Sequence, residues 1–323
     1  MLPGFTHTRA TSVADGVRRL AVPGTRLHAG GTDLLGCLRD GVFTARTLVS
    51  LSGLKELRGI GPAPGGGLRI GALTTHGEIA AHKTILESYR GLAQASASVA
   101  SPQLRNQGTI GGNLCQRPRC WYFRGDFHCL RKGGELCYAM GGENDDHAVL
   151  GGGQCIMVHP SDTAPALIAL GGRVRIASPG GSRLVPLEAF FVGPAKAVTR
   201  ETILEKNEIL TEVLLPPAEP GLRSSYRKVR ARGAWDFALA GVALAIVVKD
   251  GLVQHARVAF SGVAPVPWRS EPVERAITGK ALTPAVVAEA AAAAVTGAVA
   301  LEKNGYKIPL LQGVVTEALL ALA

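Results

Sequence analysis

Aromatic residues make up only 5% of this 323-residue chain, and charged residues make up only 19%. The 35 basic residues exceed the 25 acidic residues by ten, but they are scattered along the sequence. The tightest basic group is Arg227, Lys228, Arg230 and Arg232. A nucleic-acid-binding surface needs a basic stripe with interleaved aromatic side chains, so the composition argues against a nucleic-acid partner.

Long apolar runs are also missing. The strongest runs, 237–248 and 285–300, are shorter than the roughly 18 residues that span a bilayer. The first ten residues lack the basic and apolar regions of a secretion signal. We therefore expect no membrane insertion and a cytoplasmic chain, with a periplasmic location only if a signal-bearing partner subunit exports the folded complex.

Apolar residues make up 46% of the chain, which is enough for packed cores in two or three domains. Strand-like and helix-like patterns alternate between paired glycines, which predicts an α+β protein whose loops bind the ligand. A proline-rich break at 216–221 predicts a domain boundary. The predicted domains are therefore 1–218 and 219–323.

Local patterns predict the individual elements. Thr11 or Ser12 and Thr283 have the side chains of helix N-caps, and Lys249-Asp250-Gly251 has the sequence of a hairpin turn. The predicted helices cover 12–22, 33–38, 80–97, 164–172 and 284–299. The predicted strands cover 26–29, 47–51, 68–73, 173–177, 239–248 and 253–260.

Five of the six cysteines lie in the irregular segment 115–155, here called the cysteine loop. Cys115, Cys120, Cys129, Cys137 and Cys155 are 5, 9, 8 and 18 residues apart, so neither a C-x-x-C redox pair nor a zinc ribbon is present. Disulfides, a zinc site, an iron-sulfur cluster and free thiols remain as alternatives. An iron-sulfur cluster tolerates wide spacing because the cluster itself becomes the core of the loop.

Two glycine turns have the composition of phosphate-binding loops. The first, A-G-G-T-D-L at 29–34, follows a predicted strand and opens a predicted helix, but lacks the G-x-G-x-x-G spacing of a Rossmann site. The second is T-I-G-G-N at 109–113. Further along, P-S-D occurs at 160–162, and K-x-x-x-R-x-x-x-D-F-A occurs at 228–238. Each motif alone is weak evidence for a binding site, whereas the combination of all four is specific.

These motifs, in this order, resemble the flavin-binding subunit of the xanthine dehydrogenase family of molybdenum hydroxylases. The resemblance covers essentially the whole chain. It implies an α+β fold, with a two-subdomain FAD-binding domain of the vanillyl-alcohol-oxidase (PCMH) type at 1–218. A smaller C-terminal α+β domain of the CO dehydrogenase flavoprotein type would follow at 219–323.

The resemblance also implies which residues bind FAD. Asp162 would bind a ribose or adenine-side hydroxyl, although it could instead cap the following helix, and Leu210 could be a plain core residue. His28 stands where family members commonly have an apolar residue, which leaves its role open. The implied FAD contacts are Arg26, Leu27, His28, Ala29, Gly30, Gly31, Thr32, Asp33, Leu34, Thr109, Gly112, Asn113, Asp162, Leu210 and Lys228.

The cysteine loop is similar to an extra loop of certain family members, the flavin subunits of periplasmic aldehyde oxidoreductase and 4-hydroxybenzoyl-CoA reductase. Those subunits carry a [4Fe-4S] cluster beside the FAD. The resemblance implies the ligands Cys120, Cys129, Cys137 and Cys155, and it leaves Cys37 and Cys115 as small core residues.

The implied function is electron transfer within an oxidoreductase complex, with no catalytic residue in this chain. A large subunit would hold the molybdenum cofactor, a small subunit would hold two [2Fe-2S] clusters, and ferredoxin, NAD or oxygen would be the external electron partner. Two alternatives are a self-contained flavin oxidoreductase and a zinc-stabilised interaction module. No acid-base pair stands out for the first, and zinc usually uses tighter cysteine pairs.

Overall fold

A computed structural model describes residues 1–323. The chain forms twelve α-helices and twelve strands, and the strands are arranged in three sheets. The strands are β1 (Thr6–Arg9), β2 (Thr25–His28), β3 (Thr47–Ser50), β4 (Ile60–Pro62), β5 (Leu68–Gly71), β6 (Arg173–Ser178), β7 (Gly181–Pro186), β8 (Ile209–Leu215), β9 (Leu222–Val229), β10 (Ala240–Lys249), β11 (Leu252–Ser261) and β12 (Trp268–Arg269). The helices are α1 (Val13–Leu20), α2 (Leu34–Arg39), α3 (His76–Ala81), α4 (Lys83–Ser88), α5 (Arg90–Ser98), α6 (Pro102–Arg105), α7 (Ile110–Leu114), α8 (Trp121–Arg124), α9 (Thr163–Ala169), α10 (Glu271–Ile277), α11 (Pro284–Ala293) and α12 (Lys307–Leu320).

The first sheet is small and parallel, with the strand order β1-β3-β2. Ser12 caps α1 by accepting a hydrogen bond from the Asp15 N–H at 3.0 Å. Of the two residues predicted as the cap of this helix, Thr11 and Ser12, the second is therefore confirmed. Val17 of α1 packs with Val49 of β3 in a separate small core. This sheet fixes the end of β2, where the first glycine turn begins.

The second sheet has five antiparallel strands in the order β4-β5-β8-β6-β7. The helices α3, α4, α5, α7 and α9 contribute to its core of 28 buried residues. The predicted helix at 80–97 is wrong in detail, because extended backbone at His82 and non-helical backbone at Tyr89 divide the region into α3, α4 and α5.

The third sheet has the antiparallel order β12-β11-β10-β9, and α10, α11 and α12 share its core of 24 buried residues. The predicted hairpin between β10 and β11 is confirmed, and Asp250 and Gly251 take the positive φ angles of a type I′ turn. Thr283 caps α11 as predicted. That helix ends at Ala293 rather than 299, and a turn follows at 294–297, in which Gly297 has a φ of +76°.

The cysteine loop contains α8 and two single turns of 3-10 helix, and it contributes no strand to any of the three sheets. In the chain it lies between α7 and α9, two helices that contribute to the core of the second sheet. The observed mixture of helices and sheets confirms the predicted α+β class. No helix in the structure has both the length and the apolar character needed to cross a membrane.

Candidate functional site

The two glycine turns pack directly against each other. The Gln107 side-chain amide donates to the Gly30 carbonyl at 3.1 Å. A side chain at Gly30 would collide with the Gln107 carbonyl, and Gly31 has a φ of +74°, where other residues are strained. Glycine is therefore required at both positions for the turns to meet.

The second turn is held by its own side chains. The Thr109 hydroxyl accepts from the Gly112 N–H at 3.2 Å and caps α7. The Asn113 side-chain oxygen accepts from the hydroxyls of Ser161 and Thr163, the latter at 2.7 Å. The P-S-D motif is thereby tied to the T-I-G-G-N turn, so two motifs that are distant in sequence form one structure.

A cavity of about 270 Å³, here called the glycine cavity, opens beside these turns. Arg26 forms one wall, with its guanidinium 4.3 Å from the centre of the Phe43 ring. Leu210, on β8, is buried and also lines this cavity. Of the expected FAD contacts, the glycine cavity brings together Arg26, Leu27, Ala29, Gly30, Gly31, Thr32, Asp33, Leu34, Thr109, Gly112 and Leu210.

A second cavity of about 180 Å³, here called the Asp162 cavity, shares Thr32, Asp33, Thr109 and Gly112 with the first. Asn113 and Asp162 line this second cavity. The two cavities therefore form one cleft that extends to both sides of the glycine turns.

Two strained residues close the far end of the Asp162 cavity. Ala100 and Trp235 both have positive φ, at 41° and 52°, and the Trp235 N–H donates to the Ala100 carbonyl at 3.0 Å. Such backbone costs of the order of 1–3 kcal/mol per residue and is concentrated at functional sites. Neither residue was predicted as a site residue. An alanine or a tryptophan in a sequence gives no sign that its φ angle will be positive.

Asp162 does not cap α9 with its side chain, so the capping alternative is wrong. Instead its carboxylate accepts from the Tyr226 hydroxyl at 2.7 Å and from the Lys228 ammonium at 2.8 Å. Burial raises the pKa of Asp162, and the charge of Lys228 opposes that shift. Lys228 lines neither part of the cleft, since it stands behind Asp162 with only 4% of its side chain exposed.

His28 lines neither cleft cavity, although its Nε2 atom lies next to Gly31. It packs edge to face against His7, with ring centres 6.0 Å apart. Its Nδ1 atom is buried without a hydrogen-bond partner, and burial lowers the pKa of the imidazole.

Cys120, Cys129, Cys137 and Cys155 all line one small cavity, here called the thiol cavity. His147 also lines this cavity, and its Nε2 atom lies 3.2 Å from the Cys120 sulfur. The remaining lining is mostly apolar. No three His, Cys, Asp or Glu side chains come close enough together to hold a single metal ion, and all six cysteines are free thiols.

The pKa shifts differ among the cysteines. Burial raises the pKa of Cys37 to about 11 and that of Cys115 to about 12, so both remain neutral thiols. Within the thiol cavity, burial also raises the pKa of Cys120, and the hydrogen bond between Cys137 and Cys155 raises the pKa of Cys137 and lowers that of Cys155. Cys155 is therefore the thiol-cavity cysteine at which the thiolate, the form of cysteine that binds metals, is favoured.

A third cavity of about 610 Å³, here called the outer cavity, joins the cleft to the thiol cavity. It shares Asp162 and Phe237 with the Asp162 cavity, and it shares Cys120 and His147 with the thiol cavity. Arg232, Asp236 and Phe237 of the K-x-x-x-R-x-x-x-D-F-A motif line the outer cavity. A row of neighbouring cavities with shared lining residues, here called the connected region, therefore runs from the glycine turns to the four cysteines.

Comparison with known proteins identifies the family. Residues 3–218 match the family model described as the FAD binding domain in molybdopterin dehydrogenase. Residues 224–322 match the model described as the CO dehydrogenase flavoprotein C-terminal domain. The chain belongs to this family of FAD-binding subunits. It is therefore the FAD-binding medium subunit of an oxidoreductase of the xanthine dehydrogenase and CO dehydrogenase type.

Individual relatives support this assignment. The chain is 40% identical over 275 residues to the aldehyde oxidoreductase FAD-binding subunit PaoB of Escherichia coli, covering 84% of this chain and 85% of that protein. It is 29% identical over 296 residues to the carbon monoxide dehydrogenase medium chain of Hydrogenophaga pseudoflava, covering 91% and 86%. A solved structure of carbon monoxide dehydrogenase from the latter organism superposes with a TM-score of 0.80 at 28% identity, covering 100% of this chain and 98% of that one.

In this FAD-binding subunit, Asp33 connects the first glycine turn to the cysteine loop. Its carboxylate accepts from the Arg117 N–H at 2.8 Å and from the Arg124 guanidinium at 2.7 Å, and it pairs with Arg119 at 3.0 Å. These three arginines at the start of the cysteine loop were not predicted as functional. The R-P-R-C sequence at 117–120 was the available signal.

Proposed function

We propose that this chain is the FAD and [4Fe-4S] electron-transfer subunit of a heterotrimeric molybdenum hydroxylase. The observation that carries the proposal is the connected region of cavities, which has the paired glycine turns at one end and four cysteines at the other. FAD exchanges one or two electrons and the cluster exchanges one, so neighbouring sites for both are suited to electron transfer.

FAD is assigned to the cleft formed by the glycine and Asp162 cavities. In this proposal Gly30, Gly31, Gly112 and their neighbours hold the pyrophosphate, since backbone without side chains allows close approach. Asp162 accepts a hydrogen bond from a cofactor hydroxyl, and Leu210 contacts a ring. Lys228 and His28 do not line the cleft, and we propose that Lys228 acts by fixing the charge and orientation of Asp162.

The cluster is assigned to Cys120, Cys129, Cys137 and Cys155. The donor set supports this assignment, because four thiolates are the ligands of a [4Fe-4S] cluster. A single zinc ion needs its ligands around one point. All four proposed ligands line one shared cavity, as the ligands of a single cluster must.

The proposed partners are a large subunit with the molybdenum cofactor, a small subunit with [2Fe-2S] clusters, and an external electron acceptor or donor. Relatives described as medium chains and FAD-binding subunits support membership of a complex. Expression with the neighbouring genes and a tag on this chain should recover both other subunits. Recovery of this chain alone at low salt would contradict the heterotrimer.

Cofactor analysis tests the two assignments together. Anaerobically purified protein should contain one FAD with about four irons and four sulfides per chain, and dithionite should bleach both visible bands. FAD without iron or sulfide would remove the cluster from the proposal. Zinc without FAD would instead favour the interaction module, and turnover by the isolated chain would favour the self-contained flavin enzyme.

A matched pair of variants tests the ligand assignment. Cys129→Ser should lose iron and sulfide while keeping FAD, because the cleft does not include Cys129. Cys37→Ser changes an equally buried thiol outside the thiol cavity and should keep both cofactors. Equal iron contents in the two variants would contradict the assignment.

A further inference from the structure

Arg131 is a buried cation in the wall of the thiol cavity. Only 1% of its side chain is exposed, although arginine is among the residues that are rarely buried. One guanidinium nitrogen, Nη1, donates to the Glu201 carboxylate at 2.7 Å and to the Arg200 carbonyl at 3.3 Å. The other two nitrogens, Nε and Nη2, are buried and have no hydrogen-bond partner.

Two unpartnered donors on a buried charge are costly. A buried donor without a partner costs about 1–3 kcal/mol, and more when the group is charged. Native structures therefore leave few such groups, and each one calls for a physical explanation. An anionic group inside the thiol cavity would supply partners for both nitrogens and balance the charge.

We propose that Arg131 donates hydrogen bonds to the thiolate-ligated cluster and thereby raises its reduction potential. This inference rests on the cluster assignment made above. Hydrogen bonds to cluster sulfurs and nearby positive charge stabilise the reduced form, which carries one more negative charge. The flat guanidinium presents several N–H groups in one plane, so it can contact two acceptors at once while still bound to Glu201.

The position of Arg131 near the sulfurs has geometric support. Its side chain lines the same small cavity as the four cysteines. Cys129 and Arg131 also lie on one short segment, which ends in a turn of 3-10 helix at Leu130–Lys132. The side chain is therefore held against the cavity from its own backbone as well as from Glu201.

Glu201 is a positioning residue that links Arg131 to the cleft. It is 8% exposed and pairs with Arg131 through one oxygen and with Arg117, at 2.9 Å, through the other. Arg117 lines the glycine cavity. The row Arg117, Glu201 and Arg131 therefore runs from the proposed FAD site to the proposed cluster site. Its central carboxylate pairs with the partly exposed Arg117 and with the buried Arg131.

The test measures the reduction potential of the cluster in the purified complex. Potentials would be obtained by anaerobic titration with mediators, following the reduced cluster by EPR and the flavin by absorbance. Arg131→Gln should shift the cluster potential to more negative values while iron and sulfide remain at the wild-type content. Arg131→Lys keeps the charge but loses the planar donors, so a smaller negative shift is expected.

Lys132→Gln is the matched control, because it removes one positive charge from the neighbouring residue, whose side chain donates to the Gly125 carbonyl outside the thiol cavity. It should leave the potential unchanged. A wild-type cluster potential in Arg131→Gln with full iron content overturns the inference. If Arg131→Gln loses its iron, a wild-type potential in Arg131→Lys overturns it.

A third variant examines the positioning role. Glu201→Gln should alter the EPR line shape of the reduced cluster, because Arg131 loses its charged anchor. Wild-type protein without iron and sulfide would refute the proposed function itself. That outcome is distinguishable from an unchanged potential in a variant that carries the cluster.

Discussion

The C-terminal domain and the cysteine loop are organised by opposite means. In the C-terminal domain, the hairpin of β10 and β11 is covered by three helices, and its core is a cluster of 24 buried apolar residues, two of which belong to the cysteine loop. The cysteine loop has no strand, and buried polar contacts hold it: Asp33 at its start and residues 303–307 near its end. Apolar burial is sufficient for the first region, whereas the second depends on directional bonds and, in our proposal, on a cluster.

The polar contacts near the end of the cysteine loop come from the C-terminal domain. The Asn304 side chain donates to the carbonyls of His147 and Ala148 at 3.2 and 3.1 Å. The fully buried Lys307 ammonium donates to the carbonyls of Asp146 and Gly262 at 2.9 and 2.7 Å. Asn304, just before α12, and Lys307, the first residue of α12, therefore position His147, which contacts Cys120. The C-terminal domain thus contributes to the cysteine site without supplying a cysteine.

Truncation of the apolar core should have the largest effect. Phe260 on β11 is 1% exposed, so Phe260→Ala should lower the free energy of unfolding by about 3–5 kcal/mol. Phe127→Ala is the counterpart in the cysteine loop, and it should cost far less because Phe127 is 41% exposed. Urea denaturation of the apoprotein measures both values. Similar losses in the two variants would contradict the contrast between the regions.

The pH dependence at Lys307 should be the next largest effect. Burial lowers the pKa of this lysine from 10.5 to about 8. Between these values the unfolded chain binds a proton that the folded chain does not, so this group makes stability rise with pH, by at most about 1.4 kcal/mol per pH unit. Below pH 8 both states are protonated and the contribution is constant.

The comparison variant for this effect is Lys307→Met. The difference in unfolding free energy between wild type and Lys307→Met should change from pH 8 to pH 10 in favour of the wild type. Lys280→Met alters a lysine whose side chain is 40% exposed and should show no comparable change. A pH-independent difference for Lys307→Met would show that the lysine is not desolvated.

Loss of a polar tether should have an intermediate effect. Asn304→Ala removes two buried hydrogen bonds to the cysteine loop, and it should cost about 1–3 kcal/mol because two carbonyls lose their partner. Proteolysis within 115–155 should also accelerate. The exposed neighbour Glu302 provides the control Glu302→Ala. Unchanged cleavage of the cysteine loop in Asn304→Ala would mean that Asn304 does not hold it.

The smallest effect is expected at an exposed ion pair of the C-terminal domain. Arg227 on β9 and Glu317 on α12 are 2.8 Å apart, with side chains 52% and 56% exposed. Water and salt screen such a pair, so Arg227→Gln should change the unfolding free energy by less than about 1 kcal/mol. A loss as large as that of Asn304→Ala would remove the distinction between buried and exposed polar contacts.

Local sequence patterns were informative where a single residue type is physically required. Gly251 and Asp250 predicted the hairpin because its turn needs positive φ, and Ser12 and Thr283 predicted helix starts because their hydroxyls accept backbone N–H groups. The paired glycines at 30–31 predicted a turn for the same reason. The lengths of the helices were less predictable. Helix α11 is shorter than its apolar composition suggests, and the 80–97 region is divided among three helices.

Site geometry was predictable only in part. The expected contacts of the glycine motifs do line one cleft, with the exceptions of Lys228 and His28. Lys228 is displaced because it satisfies the buried carboxylate of Asp162, a pairing between residues 66 positions apart. The contributions of Arg117, Glu201 and Arg131 were missed, because an isolated charged residue in sequence does not reveal whether it is buried.

The sequence by itself determined the α+β class, the two glycine turns, the hairpin and the number of thiols in the cysteine loop. These features follow from local requirements on backbone angles, hydrogen bonding and apolar periodicity. Only the tertiary structure decided that the two turns meet, that four thiols share a cavity with a buried arginine, and that α12 holds the cysteine loop. Those contacts join segments far apart in the chain, and they are selected by the burial and pairing of polar groups rather than by the preferences of any one segment.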